Sequence, residues 1–237
     1  MEKEKDLSIS LLLGLDKNKK PYYQSLTELG NMFIFGIAGT ARDILINNIL
    51  NDFEEKYDRK DLQVALLGMT PMELENFVSS KNLFLNKSFM NMNEVIDGLN
   101  EIIKEINARI DLLNANNMNC IEDYNNNTME RLPYIVVLIN DYFADIKGQE
   151  KTFSTISLNS KKCGVYLVYS TARAHTITQE IASCFDTQIS YKLRPDEIQP
   201  WAFFKQEDVE NLSNLEMIVV NKNKKIQLET IFNKGDK

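Results

Sequence analysis

The sequence predicts an α/β fold with a mostly parallel central sheet, helices on both faces of that sheet, and a β-hairpin at each end of the chain. Short, continuously apolar runs such as residues 133–139 and 165–170 are typical of strands buried on both faces. Amphipathic helical stretches alternate with these runs, which is the pattern of α/β proteins. With 237 residues, 43% of them hydrophobic, the chain can form one domain with a full core.

The N-terminal third begins with a predicted hairpin, whose strands are residues 8–15 and 21–26. Residues 31–36 follow as a buried strand, and residues 43–57 are predicted to form a helix. The apolar residues of this helix fall at helical spacing on one stripe: Ile46, Leu50, Phe53 and Tyr57.

The middle of the chain continues the alternation of strands and helices. Residues 62–67 form a buried strand, and residues 72–78 form a short helix that begins after Thr70 and Pro71. Residues 95–113 carry a continuous apolar stripe, which predicts a long amphipathic helix. The asparagine-rich residues 114–127 are predicted to be a loop.

The C-terminal part is predicted to contain three further buried strands and a hairpin. The strands are residues 133–139, 165–170 and 187–193. Residues 215–220 and 225–232 form the hairpin, and residues 221–224 form its turn.

Composition excludes several classes of function. The net charge of −7 and a pI near 5 argue against nucleic acid as a partner, because phosphate binding usually needs a basic face. No apolar run approaches the roughly 20 residues of a transmembrane helix. The three cysteines lack metal-ligand spacing and indicate a reduced, cytosolic chain. The single histidine, His175, excludes a multi-histidine metal site, and we expect its side chain to be solvated.

Residues 33–43 show the arrangement of a phosphate-binding P-loop, in which a strand runs through a glycine-containing loop into a helix. Gly36 matches the first glycine of Gly-x-x-x-x-Gly-Lys-[Ser/Thr]. Ala41, Arg42 and Asp43 stand where the motif has Gly, Lys and Ser/Thr. A tight strand–helix turn without ligand is the alternative interpretation. The candidate nucleotide-binding residues are Gly36, Ile37, Ala38, Gly39, Thr40, Ala41, Arg42 and Asp43.

The substitutions at the end of this loop predict damaged nucleotide chemistry. Arg42 keeps the positive charge of the motif lysine but is longer and planar. Asp43 puts a carboxylate where a hydroxyl would bind a metal ion. We expect Asp43 to cap the following helix and, paired with Arg42, to stand in for a phosphate.

The second half of a nucleotide site would lie after two later strands. The strand of residues 132–139 ends in Asn140 and Asp141, and the strand of residues 164–173 carries Thr171 at a sensor-like position. Asn140 lacks the charge that anchors Mg²⁺, and Asp141 is short for a group that polarises water. We therefore expect no catalytic residues and no metal site, and ATP with Mg²⁺ would bind only weakly if at all.

These segments resemble the FtsK/SpoIIIE branch of P-loop motors, a RecA-like α/β fold. Residues 132–145 are similar to the family's Leu-Pro-x-Ile-(three hydrophobic)-Ile-Asp-Glu-hydrophobic-Ala-Asp pattern, with Asn140 and Asp141 replacing Asp-Glu. Residues 164–173 are similar to its Gly-[Ile/Val]-x-Leu-hydrophobic-x-[Ala/Ser]-Thr-Gln-Arg pattern. The resemblance covers residues 9–232. A narrower resemblance is to the C-terminal, degenerate ATPase domain of type VII secretion coupling proteins, the EssC/EccC family.

The resemblance implies a function in which recognition and docking of secreted WXG100-type helical-hairpin substrates is coupled to regulation of neighbouring ATPase domains. It implies one FtsK-like domain over residues 1–237, with a flexible lead-in at 1–8, a hairpin region at 9–30 and a core at 31–232. It also implies a cytoplasmic fragment of a larger bacterial cell-membrane protein, adjacent ATPase domains as partners, and a hexamer in the full-length protein. The Asn- and Lys-rich composition fits an AT-rich genome such as that of a staphylococcus.

Several alternatives stay open at this point. The chain could be a weakly active ATP-binding motor domain of a translocase, a DNA translocase fragment, or a structural spacer in a ring. Arg109, Arg131 and Arg173 could each reach a neighbour's nucleotide or form ordinary salt bridges. The aromatic group of Trp201, Phe203 and Phe204 could be a small core under a loop or a partner pocket.

Overall fold

One nine-stranded mixed sheet organises the chain. The computed structural model describes residues 9–70, 77, 80–140, 148–222 and 224–232. The strands are β1 (Ser10–Leu15), β2 (Pro21–Ser25), β3 (Met32–Phe35), β4 (Leu62–Leu67), β5 (Tyr134–Asn140), β6 (Val165–Thr171), β7 (Thr187–Ser190), β8 (Glu216–Asn221) and β9 (Lys224–Glu229). The α-helices are α1 (Leu26–Leu29), α2 (Arg42–Lys56), α3 (Met92–Ala115), α4 (Ile121–Asn127), α5 (Glu150–Cys163), α6 (Gln179–Ala182) and α7 (Gln206–Val209).

The strand order is β2-β1-β9-β8-β7-β3-β6-β5-β4. Strands β7, β3, β6, β5 and β4 run parallel, and β8, β9, β1 and β2 continue the sheet in antiparallel pairs. The α/β prediction and both predicted hairpins are therefore confirmed. The hairpins add to the parallel sheet and do not form a layer of their own.

Both faces of the sheet are covered, as predicted. Adjacent side chains in β3 show this, because Phe33 belongs to the apolar cluster beneath α3 and α5, whereas Ile34 belongs to the cluster beneath α2. Side chains alternate between the faces of a strand, so a strand must be apolar throughout when both faces are buried.

The start of β3 is fixed by the buried side chain of Asn31. Its amide nitrogen donates to the carbonyl of Cys184 at 3.0 Å and to the hydroxyl of Ser160 at 3.3 Å, while its oxygen accepts the amide of Leu167 at 2.9 Å. These bonds join β3, α5 and β6 at one point. They hold the strand that leads into the glycine-containing loop.

Helices α4 and α5 are the two longer helices that the sequence prediction lacks, and the four-residue helices α1, α6 and α7 were not predicted either. Residues 121–127, predicted as a loop, form α4, because Ile121 and Tyr124 are buried and because Asn125 exchanges two hydrogen bonds with the backbone of Leu132. Tertiary contacts of this kind outweigh the low helix propensity of asparagine. Helix α5 was not predicted at all. The helix predicted at 72–78 lies outside the described residues except for Phe77.

Every helix among the described residues is too short or too polar to cross a membrane.

Candidate functional site

The predicted site residues meet at the carboxyl edge of the parallel strands. Phe35, the last residue of β3, pairs with Thr171 of β6 and with Ser190 of β7. Asn140, the last residue of β5, pairs with Ser170 of β6. The loop of residues 36–41 therefore begins beside Thr171, with Asn140 further along the same edge. Ligands of α/β proteins bind in the crevice at this edge, where the strand order reverses.

Gly36 and Gly39 shape the loop for two different reasons. A Cβ atom on Gly36 would lie 2.6 Å from the Cβ of Tyr191 and 2.9 Å from the Oγ1 of Thr40, so the loop passes too close for a side chain. Gly39 has a φ of +85°, and a Cβ there would meet nothing within 4 Å. Gly39 is required by backbone conformation, whereas Gly36 is required by close approach.

Several amides of this loop are hydrogen-bonded within the chain. The amide of Ile37 donates to the carbonyl of Lys192 at 3.2 Å, and the amide and hydroxyl of Thr40 both donate to the carbonyl of Ile37. The amide of Ala41 donates to the carbonyl of Asn214 at 2.7 Å. Loop amides are the donors with which a P-loop holds phosphate. The amide at the motif's second glycine position is thus already used.

Arg42 and Asp43 form an ion pair at the start of α2. The Nη2 of Arg42 lies 3.0 Å from the Oδ1 of Asp43, and the Arg42 side chain is 11% exposed while that of Asp43 is 54% exposed. The expected pairing is therefore confirmed. The expected capping is wrong, because Ala41 is the N-cap residue and no side chain caps the helix. Asp43 sits inside the first turn, where the helix dipole favours a carboxylate.

Tyr191 packs against the glycine-containing loop. Its amide donates to the carbonyl of Phe35 at 2.8 Å, and its buried hydroxyl hydrogen-bonds the hydroxyl of Thr230. Burial raises the pKa of the Tyr191 hydroxyl above its usual range, and the hydrogen bond to Thr230 offsets part of this effect. The loop therefore rests on a neutral aromatic side chain linked to the segment after β9.

The remaining predicted site residues are placed as follows. Asn140 and Thr171 are buried, and the Oγ1 of Thr171 accepts the amide of Arg173 at 2.8 Å. Asp141 lies outside the described residues. The structure thus brings Asn140 and Thr171 to the same edge as the loop.

A nucleotide fits these residues only in part. The Nη1 of Arg42 is buried without a hydrogen-bond partner among the described residues, and an anion such as phosphate would satisfy it. The carboxylate of Asp43 on the same guanidinium opposes that anion, and the amide of Ala41 is occupied. Mg²⁺ fits poorly, because Asn140 offers a neutral amide in place of a carboxylate. The described residues contain no group of three or more His, Cys, Asp or Glu side chains placed to hold a metal ion.

Arg109 has a structural role. It is 2% exposed, and its Nη1 donates to the carbonyls of Pro133 and Cys163 at 2.8 Å each. Its Nε lies 2.8 Å from Glu105 on the same helix. Arg109 therefore joins α3 to the ends of two other elements and does not reach outward. Arg131 and Arg173 are exposed.

The other residues considered from sequence are mostly part of the core. Trp201 stacks on Phe33 with ring centroids 5.5 Å apart, and Phe204 lies 5.2 Å from Phe35, which supports a small core under a loop. Phe203 remains 46% exposed. His175 is exposed, as expected.

Sequence reasoning missed the residues that hold the loop in place. Tyr191 and Thr230 carried no motif, and Lys192 and Asn214 act through backbone carbonyls that every residue has. The one sequence signal near these residues was the apolar run of residues 187–193, which was predicted as a buried strand.

The chain has curated relatives among bacterial translocases and secretion proteins. No model of a known protein family matches it. It is 25% identical over 197 residues to the DNA translocase SftA of Bacillus subtilis, covering 78% of this chain and 20% of SftA. It is 24% identical over 191 residues to the ESX secretion system protein YukB of Bacillus subtilis, covering 75% of this chain and 12% of YukB. The chain thus spans a small part of these relatives.

Solved structures show the same fold. EssC (ATPases 2 and 3) from Geobacillus thermodenitrificans matches with a TM-score of 0.77 at 17% identity, over 96% of this chain and 45% of that one. The conjugation coupling protein TcpA of pCW3, with ATPγS, matches with a TM-score of 0.77 at 16% identity, over 98% of this chain and 68% of that one. Thermomonospora curvata EccC (ATPases 2 and 3), in complex with a signal sequence peptide, matches with a TM-score of 0.72 at 11% identity, over 96% of this chain and 41% of that one.

The staphylococcal origin and the domain boundaries stay predictions. The resemblance inferred from the sequence is confirmed at the level of relatives and fold: this chain is related to FtsK/SpoIIIE-type translocases and ESX secretion proteins, and it has the fold of the P-loop ATPase domains of EssC and EccC.

Proposed function

We propose that this chain is a degenerate ATPase domain of a type VII secretion coupling protein, one that docks secreted substrates and regulates neighbouring ATPase domains without hydrolysing ATP itself. The substrates would be helical hairpins of the WXG100 type. The domain would lie in the cytoplasm as part of a larger cell-membrane protein, which would assemble as a hexamer.

The observation that carries the proposal is the ion pair between Arg42 and Asp43. Hydrolysis needs a cation free to stabilise charge on the phosphate and an anchored metal ion. Here the cation faces a carboxylate, and Asn140 replaces the acid that would anchor the metal ion. Loss of one positioned catalytic group commonly lowers the rate by about 10²-fold or more. Two such losses leave hydrolysis near background.

The comparisons support a role in peptide binding. The matching structure of Thermomonospora curvata EccC contains a signal sequence peptide. The matching EssC and EccC chains also contain two ATPase units each, which supports adjacent ATPase domains as partners. A folded domain that does not hydrolyse ATP keeps surfaces that can bind a peptide. Binding at such a surface can then affect a neighbouring ATPase domain through their interface. The chain's net charge of −7 argues against the alternative of a DNA translocase fragment.

Two measurements on the chain test the proposal. Calorimetric titration with secreted WXG100-type proteins encoded beside its gene should give saturable binding, and a phosphate-release assay with ATP and Mg²⁺ should stay near background. Labelled duplex DNA should not bind at physiological salt. Rapid Mg²⁺-dependent turnover would contradict the proposal, and so would absence of affinity for any such substrate, which would favour a structural spacer.

A weakly active, ATP-binding motor domain is the second candidate. The buried Nη1 of Arg42 favours it, because this donor lacks a partner among the described residues and suits a phosphate oxygen. Titration with ATPγS separates the two candidates. Measurable affinity that disappears in an Arg42→Ala variant, together with slow turnover, would support the motor domain.

A further inference from the structure

A tight turn at residues 213–216 lies against the glycine-containing loop. The amide of Glu216 donates to the carbonyl of Ser213 at 3.2 Å, which closes the turn. Inside the turn, the carbonyl of Asn214 accepts the amide of Ala41 at 2.7 Å. Ala41 stands at the second glycine position of the loop pattern, where a P-loop uses its amide to hold phosphate. A carbonyl oxygen of the turn therefore occupies a place that a phosphate oxygen would take.

The two ends of this turn are held in place. The carboxylate of Glu216 accepts the amide of Ser213 at 2.8 Å and the side-chain amide of Gln227 at 2.9 Å. Leu212, just before the turn, and Met217, just after it, are both buried in the core. Movement of the turn as a whole is therefore opposed by core packing and by these hydrogen bonds.

The peptide unit in the middle of the turn is held on one side only. It joins Asn214 to Leu215, and both side chains are exposed. Its carbonyl oxygen bonds Ala41, whereas its N–H, which belongs to Leu215, forms no hydrogen bond with a described residue. The carbonyl of Leu215 belongs to the next peptide unit and accepts the amide of Thr230 at 2.8 Å. The central peptide unit can therefore rotate with the loss of one hydrogen bond, the bond to Ala41.

Rotation of this peptide unit is the difference between two types of turn. In a type I turn both central residues have negative φ, whereas in a type II turn the second of them has positive φ. Neither Asn214 nor Leu215 has positive φ, so the turn is not of type II. Conversion to type II turns the central carbonyl away and brings the N–H of Leu215 to the side that the carbonyl has left. It also puts Leu215 in the left-handed region, which is unfavourable for an L residue other than glycine, asparagine or aspartate.

The rotation changes what the loop offers to an anion. With the carbonyl of Asn214 turned toward the loop, the amide of Ala41 is used and a partial negative charge faces the ligand position. With the peptide unit rotated, the amide of Ala41 is released and the N–H of Leu215 becomes a second donor. The next residue, Arg42, is 9% exposed, and its Nη1 lacks a hydrogen-bond partner among the described residues. Backbone N–H groups that converge in this way bind anions.

We propose that the peptide unit between Asn214 and Leu215 is a switch that controls whether the glycine-containing loop accepts the phosphate groups of a diphosphate or triphosphate ligand. In the observed state the carbonyl of Asn214 closes the loop. In the rotated state the amides of Ala41 and Leu215, together with Arg42, bind the phosphate. The preference of Leu215 for negative φ keeps the closed state dominant. The proposal rests on the proposed function, in which residues 36–43 are a degenerate phosphate-binding loop, and it adds control by residues outside that loop.

The test changes the φ preference at position 215 and measures the binding of inorganic pyrophosphate to the full chain by calorimetry. The variants Leu215→Ala, Leu215→Asn and Leu215→Gly remove the same exposed side chain and differ in how easily they adopt positive φ. Affinity should rise in that order. The glycine variant should bind about tenfold more tightly than the alanine variant, which corresponds to about 1.4 kcal/mol. The alanine variant should bind like the unchanged chain.

Hydrogen exchange followed by NMR distinguishes rotation of the peptide unit from a general loosening of the turn. In the Leu215→Gly variant the amide of Ala41 should exchange faster with solvent. The amides of Ser213 and Thr230 keep their hydrogen bonds in both states, so their exchange should not change. On saturation with pyrophosphate, the amide signals of Ala41 and of residue 215 should shift.

Three results would overturn the proposal, and they separate it from the function on which it rests. Equal affinity of the alanine and glycine variants for pyrophosphate, or faster exchange of all three amides, would show that the peptide unit does not control the loop. Neither result would affect the interpretation of residues 36–43. Absence of pyrophosphate binding to every variant, including Arg42→Lys with Asp43→Ser, would overturn that interpretation as well. Substrate docking is measured separately, with WXG100-type proteins.

Discussion

Arg42 and Asp43 occupy the first two positions of α2, and the Nη2 of Arg42 lies 3.0 Å from the Oδ1 of Asp43. The cation that a phosphate-binding loop would turn toward its ligand is thus engaged by the next residue along the chain. The relationship is intramolecular, so a nucleotide must compete with it at every concentration.

Replacing both partners by the motif residues should improve nucleotide binding. We expect Arg42→Lys with Asp43→Ser to raise the affinity for ATPγS at least tenfold, or about 1.4 kcal/mol, measured by calorimetry. The physical reason is that the change removes the competing carboxylate and restores a compact ammonium. The control breaks the Asp52–Lys56 ion pair of the same helix with Asp52→Ser. An unchanged affinity in the double variant would show that the pair does not limit binding.

The two loop glycines should respond differently to the same substitutions. We expect Gly36→Ala to destabilise the chain by about 1–3 kcal/mol through overpacking against Tyr191, and Gly36→Asn to destabilise it more. Gly39→Ala should cost about 1–2 kcal/mol, and Gly39→Asn should cost less, because asparagine tolerates positive φ. Chemical denaturation measures all four. Gly148, with a φ of +83° and open space around it, is the matched position outside the loop. If the same one of the two substitutions, Ala or Asn, were the more destabilising at both loop positions, this account would be refuted.

Arg109 should matter for stability and not for nucleotide. Its removal leaves the carbonyls of Pro133 and Cys163 without their donor, so we expect Arg109→Met to cost about 2–5 kcal/mol in the free energy of unfolding. Arg131→Met, at an exposed position, should change stability by less than about 0.5 kcal/mol. Denaturant titration tests both variants. A stable Arg109→Met chain with altered nucleotide binding would return Arg109 to the list of functional residues.

Stability should fall in alkaline solution because of buried tyrosines. Burial raises the pKa of Tyr166 and of Tyr191. A tyrosine in the unfolded chain ionises near pH 10, whereas in the folded chain it stays protonated to higher pH. The contribution of these tyrosines to the free energy of unfolding is therefore complete below about pH 10. It is lost as the pH rises above that value, by up to about 1.4 kcal/mol per pH unit for each tyrosine.

Phenylalanine variants isolate this effect. Denaturation at a series of pH values should show a shallower alkaline decline for Tyr166→Phe than for the unchanged chain. Tyr23→Phe, at a side chain that is 49% exposed, should leave the decline as it was. A decline that is equally steep in the Tyr166→Phe chain would assign it to other groups.

The strands were predictable because a strand that is buried on both faces has a continuous run of apolar residues. The apolar runs of β5 and β6 could hardly form anything else, and their predicted bounds differ from the structure by about one residue. Helix α5 has a weak amphipathic pattern, because its buried face includes Ser160 and Cys163 beside Phe153 and Ile156. Helix α4 was not recognisable because asparagine favours loops, and Asn125 is engaged by the backbone of Leu132, which follows the helix.

The site was predictable in its residue types and less so in its contacts. The match to a P-loop pattern located residues 36–43 and suggested the pairing of Arg42 with Asp43. It did not reveal that Asn214 supplies a carbonyl to the amide of Ala41, because a carbonyl has no residue-type signal. It also misassigned the helix cap, since Asp43 lies two residues beyond Ala41, the N-cap residue.

The hydrogen bond from Ala41 to Asn214 ties the loop to the residues that lead into β8. A ligand that takes the amide of Ala41 has to compete with this bond, because an amide has one hydrogen to donate. Occupation of that amide by a ligand and attachment of the approach to β8 therefore exclude each other.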